Sequence, residues 1–259
     1  MYMRKRFYCL KIGGSVITDK AIAYTARTDI IQKIAKTLVS LKSPMIISHG
    51  VGSFAHTSAK KYGGKNGYSD PWGIAKVARD AQAINQIVMD VFLDAGLPAV
   101  SFSPRSCLLT KKGELEKSFF DPIKEVLGQG LIPVIYGDVI WDTMQKTTIY
   151  SGETSLHLLI RYLLRNEFDI SKIIQLSNVD GVLDEKNEVI PEITQKKWQD
   201  MKVHIKKMKV ADVTGGMGHK VEEALTMTKY GIETVILNGM TDAFFNFVEN
   251  KEAKGTVIR

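Results

Sequence analysis

The chain has 259 residues and a mass of 28.9 kDa, with 44% apolar and 24% charged side chains. That near-average balance excludes a disordered, collagenous or disulfide-stapled protein. Lysine plus arginine number 35 against 28 acids, giving a net charge of +7 and a pI of about 9.2, which favours anionic partners without choosing between nucleic acid, membrane surface and phosphorylated metabolite.

Taken in chain order, strand-length apolar runs alternate with helical patterns. Residues 7–12 read as a buried strand, 29–41 as a helix with Ile30, Ile34, Leu38 and Leu41 on one stripe, and 45–48 as a second strand. A long helix is expected over 73–95, closed by Gly96, then a strand over 98–102, a helix over 121–127 and a strand over 132–136. Residues 139–150, polar in the middle, read as an inserted antiparallel hairpin. A helix over 153–165, a strand over 173–176, a helix over 218–230 closed by Gly231 and a strand over 234–237 complete the series. This alternation predicts an α/β fold, an open αβα sandwich around a mainly parallel sheet, as a single domain over 1–259.

Cys9 and Cys107 match no zinc or redox spacing and read as buried, reduced thiols. The start, MYMRKRFYCLKIGGSVI, has the basic flavour of a signal peptide. Lys11 and the glycine pair interrupt its apolar stretch, and no run approaches the ~20 apolar residues of a membrane span. A soluble cytoplasmic protein is expected, with no membrane partner.

Glycines and charges gather where strands end, the place where open α/β sheets bind ligands. The first loop is Lys11-Ile12-Gly13-Gly14-Ser15, with Lys20 nine residues beyond Lys11. Its glycines would let backbone N–H groups approach a phosphate, although the spacing fits neither of the common nucleotide-binding glycine motifs. The second is His49-Gly50-Val51-Gly52-Ser53, with His56 about one helical turn further on. Gly137-Asp138, Ser151-Gly152-Glu153, Asn178-Val179-Asp180-Gly181 and Asp212-Val213-Thr214-Gly215-Gly216-Met217-Gly218-His219-Lys220 follow. Each also reads as an ordinary turn or helix start. Together they offer glycine cradles, three lysines and an aspartate to orient them, a set suited to phosphoryl transfer.

In that order these motifs resemble the amino acid kinase superfamily and, within it, the isopentenyl phosphate kinase family, over about residues 7–259. The resemblance implies ATP and Mg²⁺ as cofactors, isopentenyl phosphate as acceptor, a role in isoprenoid precursor synthesis, and a homodimer. It implies that residues 1–165 bind the acceptor and 166–259 bind ATP. Lys11 and Lys220 would contact the transferring phosphoryl group. Gly13, Gly14 and Gly52 would donate N–H bonds to ATP phosphates, with Ser15 and Gly216 beside them and Asp180 near the adenosine. Val51, His56 and Gly152 would hold the acceptor phosphate. The catalytic set becomes Lys11, Lys20, His56, Asp138 and Lys220. Ile74, Val77, Ala78, Ala81, Ile140 and Ile149 are candidate walls for the acceptor's branched tail, though the helical ones could equally be core. Two positions depart from the pattern. Val51 replaces a small residue and needs a negative φ. Glu153 stands where aspartate is usual and is left out of the catalytic set.

A fosfomycin kinase shares most of these loops and would need a polar acceptor pocket. A non-catalytic nucleotide-binding protein on the same fold would have no use for Lys11, Lys20, Asp138 and Lys220. A nucleic-acid binder lacks a supporting motif. Residues 1–20 carry a net +4 and residues 195–220 a net +5, leaving −2 of the total +7 for the remainder. The positive excess therefore lies in the segments that supply the three lysines.

Overall fold

In the computed structural model, residues 6–63, 70–208 and 216–259 are described, 203–208 by their backbone alone. The strands are β1 (Arg6–Ile12), β2 (Met45–His49), β3 (Ala99–Phe102), β4 (Leu108–Lys111), β5 (Glu114–Ser118), β6 (Ile132–Tyr136), β7 (Asp138–Asp142), β8 (Lys146–Tyr150), β9 (Asp169–Ser177), β10 (Glu192–Ile193), β11 (Glu233–Asn238) and β12 (Gly255–Ile258). The helices are α1 (Gly14–Ile17), α2 (Thr28–Leu41), α3 (Gly52–Tyr62), α4 (Pro71–Asp94), α5 (Pro104–Cys107), α6 (Asp121–Gly128), α7 (Gly152–Arg165), α8 (Gln195–Met208), α9 (Gly218–Thr228) and α10 (Ala243–Val248).

Eight strands form one sheet in the order β10-β12-β11-β9-β1-β2-β6-β3. From β11 to β3 every neighbouring pair is parallel, and β12 returns antiparallel to β11. The mainly parallel α/β architecture expected from the sequence is therefore present. β1 sits centrally, paired with β2 on one side and along its whole length with β9 on the other, from Arg6↔Asp169 to Ile12↔Leu176. The boundary expected at 165/166 falls at the end of α7, just before β9.

Alternation along β1 shows why both sheet faces are buried. Leu10 and Ile12 join a core that includes Ile31, Ile34 and Leu38 of α2 and Ile84, Val88 and Phe92 of α4. Phe7 and Cys9 point the other way, into a core with Leu156, Leu159, Ile160 and Leu163 of α7. α4 begins two residues before the expected 73, because the Asp70 carboxylate caps it by accepting from Trp72 N at 3.0 Å and Gly73 N at 3.3 Å. Gly96 and Gly231 adopt φ of +86° and +73° past α4 and α9, as C-terminal caps do. The inserted hairpin is β7–β8, and it joins β4 and β5 in a separate four-stranded sheet ordered β5-β4-β7-β8. Cys9 is buried as expected, whereas Cys107 is only half-buried.

Candidate active site

The carboxyl ends of β1, β2, β6 and β9 open into one cavity of about 1400 Å³. Lys11, Gly13, Gly14, Ser15, Lys20, Val51, Gly52, His56, Asp138, Ile149, Gly152, Gly216 and Lys220 all line it. Strand ends, helix starts and one hairpin thus bring most of the sequence-derived set together.

Glycine permits the loops to touch. A Cβ on Gly14 would lie 2.5 Å from Gly52 N, and one on Gly50 would lie 2.6 Å from Gly14 N, so the β1 and β2 loops stack main chain on main chain. Gly52 adopts φ +46°, and Thr18 Oγ1 bridges it by accepting from Ser53 N at 2.9 Å and donating to Gly14 O at 2.7 Å. Val51 keeps φ at −99°, which satisfies the condition for a branched residue there. Gly14 and Gly52 are the first residues of α1 and α3, where an N–H has no intrahelical acceptor. Gly13 departs from its expected role, because its N–H donates to Leu176 O at 2.9 Å, stitching β1 to β9.

Lys11 shares its strand face with Phe7 and Cys9, toward α7. In register beside it lie Ser48 of β2 and Gln175 of β9. Glu153, in the first turn of α7, caps this row. Its Oε2 lies 3.5 Å from Lys11 Nζ and accepts from Gln175 Nε2 at 3.1 Å. Lys11 and Glu153 are 8% and 7% exposed, so the pair is largely withdrawn from water. Ser48 Oγ secures the same turn by donating to Gly152 O at 2.6 Å. The carboxylate that holds a site lysine is therefore Glu153, which the sequence reading left out.

Asp138, expected to orient the lysines, is engaged elsewhere. Its Oδ2 accepts from Arg105 Nε at 2.7 Å and Ser103 Oγ at 3.0 Å, and its Oδ1 from Val139 N at 2.8 Å. Burial raises the Asp138 pKa, against the pull of Arg105. Arg105 comes from a short turn after β3, with no motif around it to signal the pairing.

Lys220 Nζ donates to Ser177 Oγ at 3.2 Å. Burial and then the charge of Lys11 bring its pKa down from 10.5 to about 8, against the pull of Glu153. The charged form is the one that attracts phosphate, so the affinity of this site for a phosphate-bearing ligand, and any turnover that depends on it, is expected to fall as pH rises through about 8 in the free protein. Stability changes in the opposite sense. Between about 8 and 10.5 the unfolded lysine holds a proton that the folded one has lost, so stability from this group rises with pH. A Lys220→Met variant should lack both slopes in a pH-rate profile and a melting series. Identical slopes in variant and wild type would remove Lys220 as their source.

His56 projects from α3 into the cavity, and desolvation in the recess, followed by the charge of Lys20, lowers its pKa from 6.5. Beyond it the lining turns apolar, with Ala55 and Ala59 of α3, Val77 and Ala81 of α4, Val139 of β7 and Ile149 of β8. Of the tail walls read from sequence, Val77, Ala81 and Ile149 line the cavity. Ile140 points into the α7-side core, and Ile74 and Ala78 lie on α4 outside the lining, because cavity contact follows the Val77–Ala81 stripe one turn apart. Asp180 also lies outside the lining. Its carboxylate accepts from Asn238 Nδ2 at 2.7 Å and sits 3.4 Å from Lys254, while Asn178, Val179 and the stretch from Gly181 to Pro191 face the cavity. Lys197 and Met201 of α8 add to the lining, as no motif foretold. Residues 212–215 of the last glycine loop lie outside the described residues.

Residues 7–238 match the model of the amino acid kinase family. The chain is 31% identical to the isopentenyl phosphate kinase of Thermoplasma acidophilum, over 96% of this chain and 99% of that protein. It is also 31% identical to the isopentenyl phosphate kinase of Methanocaldococcus jannaschii, over 82% and 84% respectively. A crystal structure of an isopentenyl phosphate kinase superposes with a TM-score of 0.79 at 27% identity, covering 98% of this chain and 100% of that one.

Proposed function

The chain belongs to the amino acid kinase family, and on that premise we propose that it transfers the γ-phosphoryl group of ATP to isopentenyl phosphate, forming isopentenyl diphosphate. One observation carries this reading. A single cavity passes from Lys11, Lys20, Lys220 and His56 at the phosphate loops to an apolar end of alanines, valines and an isoleucine. A phosphomonoester with a short branched tail matches both ends.

The acceptor's second pKa is about 6, so at neutral pH its attacking oxygen is already ionised and needs no general base. The two acidic side chains at the strand ends and helix start beside the lysines fit that picture, since Glu153 pairs with Lys11 and Asp138 with Arg105. What the reaction requires is relief of repulsion between two anions brought into line, and that is the task of the three lysines. His56 would donate an N–H to the acceptor phosphate, and the dianion beside it would favour the protonated ring. The stacked loops leave backbone room for a triphosphate along Gly14 and Gly52, with Lys197, Met201, Gly216 and residues 181–191 around the nucleoside. Among the described residues no group of three or more His, Cys, Asp or Glu side chains could hold a metal, so Mg²⁺ would arrive on nucleotide oxygens and supply charge neutralisation there. Residues 1–165 would serve the acceptor and 166–259 the nucleotide. No helix among the described residues is long and apolar enough to cross a membrane. A homodimeric, cytoplasmic enzyme without a nucleic-acid partner completes the reading, and light scattering and cell fractionation test those parts.

The test is a coupled ADP-release assay with isopentenyl phosphate, dimethylallyl phosphate and fosfomycin supplied separately. Turnover with the prenyl phosphates is expected, and its absence would sink the proposal. In the same assay His56→Ala should raise the acceptor KM by roughly 10- to 100-fold, the worth of a charge-assisted hydrogen bond, and leave the ATP KM nearly unchanged. Equal loss for both substrates would make His56 structural.

A further inference from the structure

We infer that Arg105 determines acceptor size, acting as a brace between two walls of the cavity's apolar end. The inference rests on the acceptor reading above. Arg105 stands in α5, outside the glycine loops and outside the cavity lining. Its Nε donates to Asp138 Oδ2 at 2.7 Å, and its Nη2 donates to the main-chain carbonyl of Ala78 at 2.9 Å. The first contact fixes the start of β7, whose next residue, Val139, lines the cavity. The second reaches α4 between Val77 and Ala81, which line it from the helix. One planar group thus ties the strand wall to the helix wall.

The chemistry of the contacts explains why arginine occupies this position. The Asp138 side chain is fully buried, and Ser103 Oγ and Val139 N take up its remaining acceptor directions. The Ala78 carbonyl lies inside a helix and offers only its second lone pair. A guanidinium presents donors to both at once in a fixed plane, which the single flexible ammonium of lysine does not. Val77, Ala81, Tyr136 and Val139 pack with Ala55 in one small cluster. Because the cavity-facing members are alanines and valines, the space for a tail depends on how far apart the two backbones stand. Arg105 fixes that separation without touching the reacting atoms, which makes it a positioning residue.

The experiment compares kcat and KM for isopentenyl phosphate and for geranyl phosphate, a ten-carbon homologue, in wild type and Arg105→Lys. The wild type is expected to favour the five-carbon acceptor. In the variant the ratio of the two kcat/KM values should shift toward the longer tail by about tenfold, the discrimination a hydrophobic pocket commonly achieves per small group. The change should appear in acceptor KM, with ATP KM within about twofold of wild type. Should Arg105→Lys fail to fold, the paired variant Arg105→Met with Asp138→Asn removes both buried charges together and gives the same readout. A melting temperature that falls while both acceptors lose activity in parallel, leaving the ratio unchanged, overturns the inference and leaves the acceptor reading standing. Wild type that turns over neither prenyl phosphate overturns both.

Discussion

Lys11→Met is expected to lower kcat by roughly 10²- to 10³-fold, the usual loss when a preorganised charge facing the transition state is removed. Lys11 is 8% exposed and held 3.5 Å from Glu153, so under the proposed reaction it would meet developing charge in a largely desolvated setting without reorganising. The same substitution leaves Glu153 buried with Gln175 as its one hydrogen-bond donor. Stranding a buried carboxylate this way costs up to about 3–5 kcal/mol, which would confuse a kinetic defect with a folding defect. Adding Glu153→Gln separates them. The double variant should recover most of the melting temperature and none of the kcat. Recovery of both would show that Lys11 acts only by neutralising Glu153. Lys11→Arg should retain the fold and still lose most activity, because a planar fork does not replace a compact ammonium in that row.

Gly52→Ala should be strongly damaging. The site has φ +46°, and the new Cβ would lie 2.6 Å from Gly14 O and collide with the Thr18 side chain. The left-handed backbone costs about 1–2 kcal/mol and the overlap about 1–3 kcal/mol more, which for a chain of this size lowers the melting temperature by roughly 5–15 °C. Displacing Thr18 also breaks its bond from Ser53 N and separates the two loops, so kcat/KM should drop for nucleotide and acceptor alike. Gly96→Ala is the control, since φ is +86° there and the added methyl meets nothing within 4 Å. It should show the backbone cost alone. Equal melting shifts in the two variants would mean that the loops do not depend on their close packing.

Six of the eight strands of the main sheet were legible, most clearly those buried on both faces, while the short edge strand β10 and β12, which returns antiparallel to β11, were not foreseen. Residues 45–49 or 132–136 offer no polar face, and a short continuous apolar run has few other places to go. β5 left no such trace, because all five of its residues are exposed and its sequence, ELEKS, has no face to bury. At the site, the glycine loops were readable since backbone stacking demands glycine whatever the partner. Pairings were not. Whether Asp138 meets a lysine or Arg105, and whether Gly13 keeps its N–H free or bonds Leu176, depends on which strands end side by side. That adjacency arises from sheet order, which no local pattern encodes. Glu153 was set aside because it is one methylene longer than expected, yet its carboxylate reaches Lys11.

The β1–β9 ladder, which keeps one register from Tyr8↔Lys172 to Ile12↔Leu176 after a shift between Phe7 and Tyr8, bears on how the molecule can move. The portions before and after residue 165 meet along seven paired residues in the middle of one sheet. A hinge at that line would have to break backbone hydrogen bonds in a dry interior, so the sheet beneath the cavity behaves as a single plate. Under the proposed reading, the two substrates would be kept in register by covalent geometry and sheet pairing, without a swing of one lobe onto the other. Admission and release of ligands would then fall to the segments above the strand ends, among them α8, whose Lys197 and Met201 line the cavity.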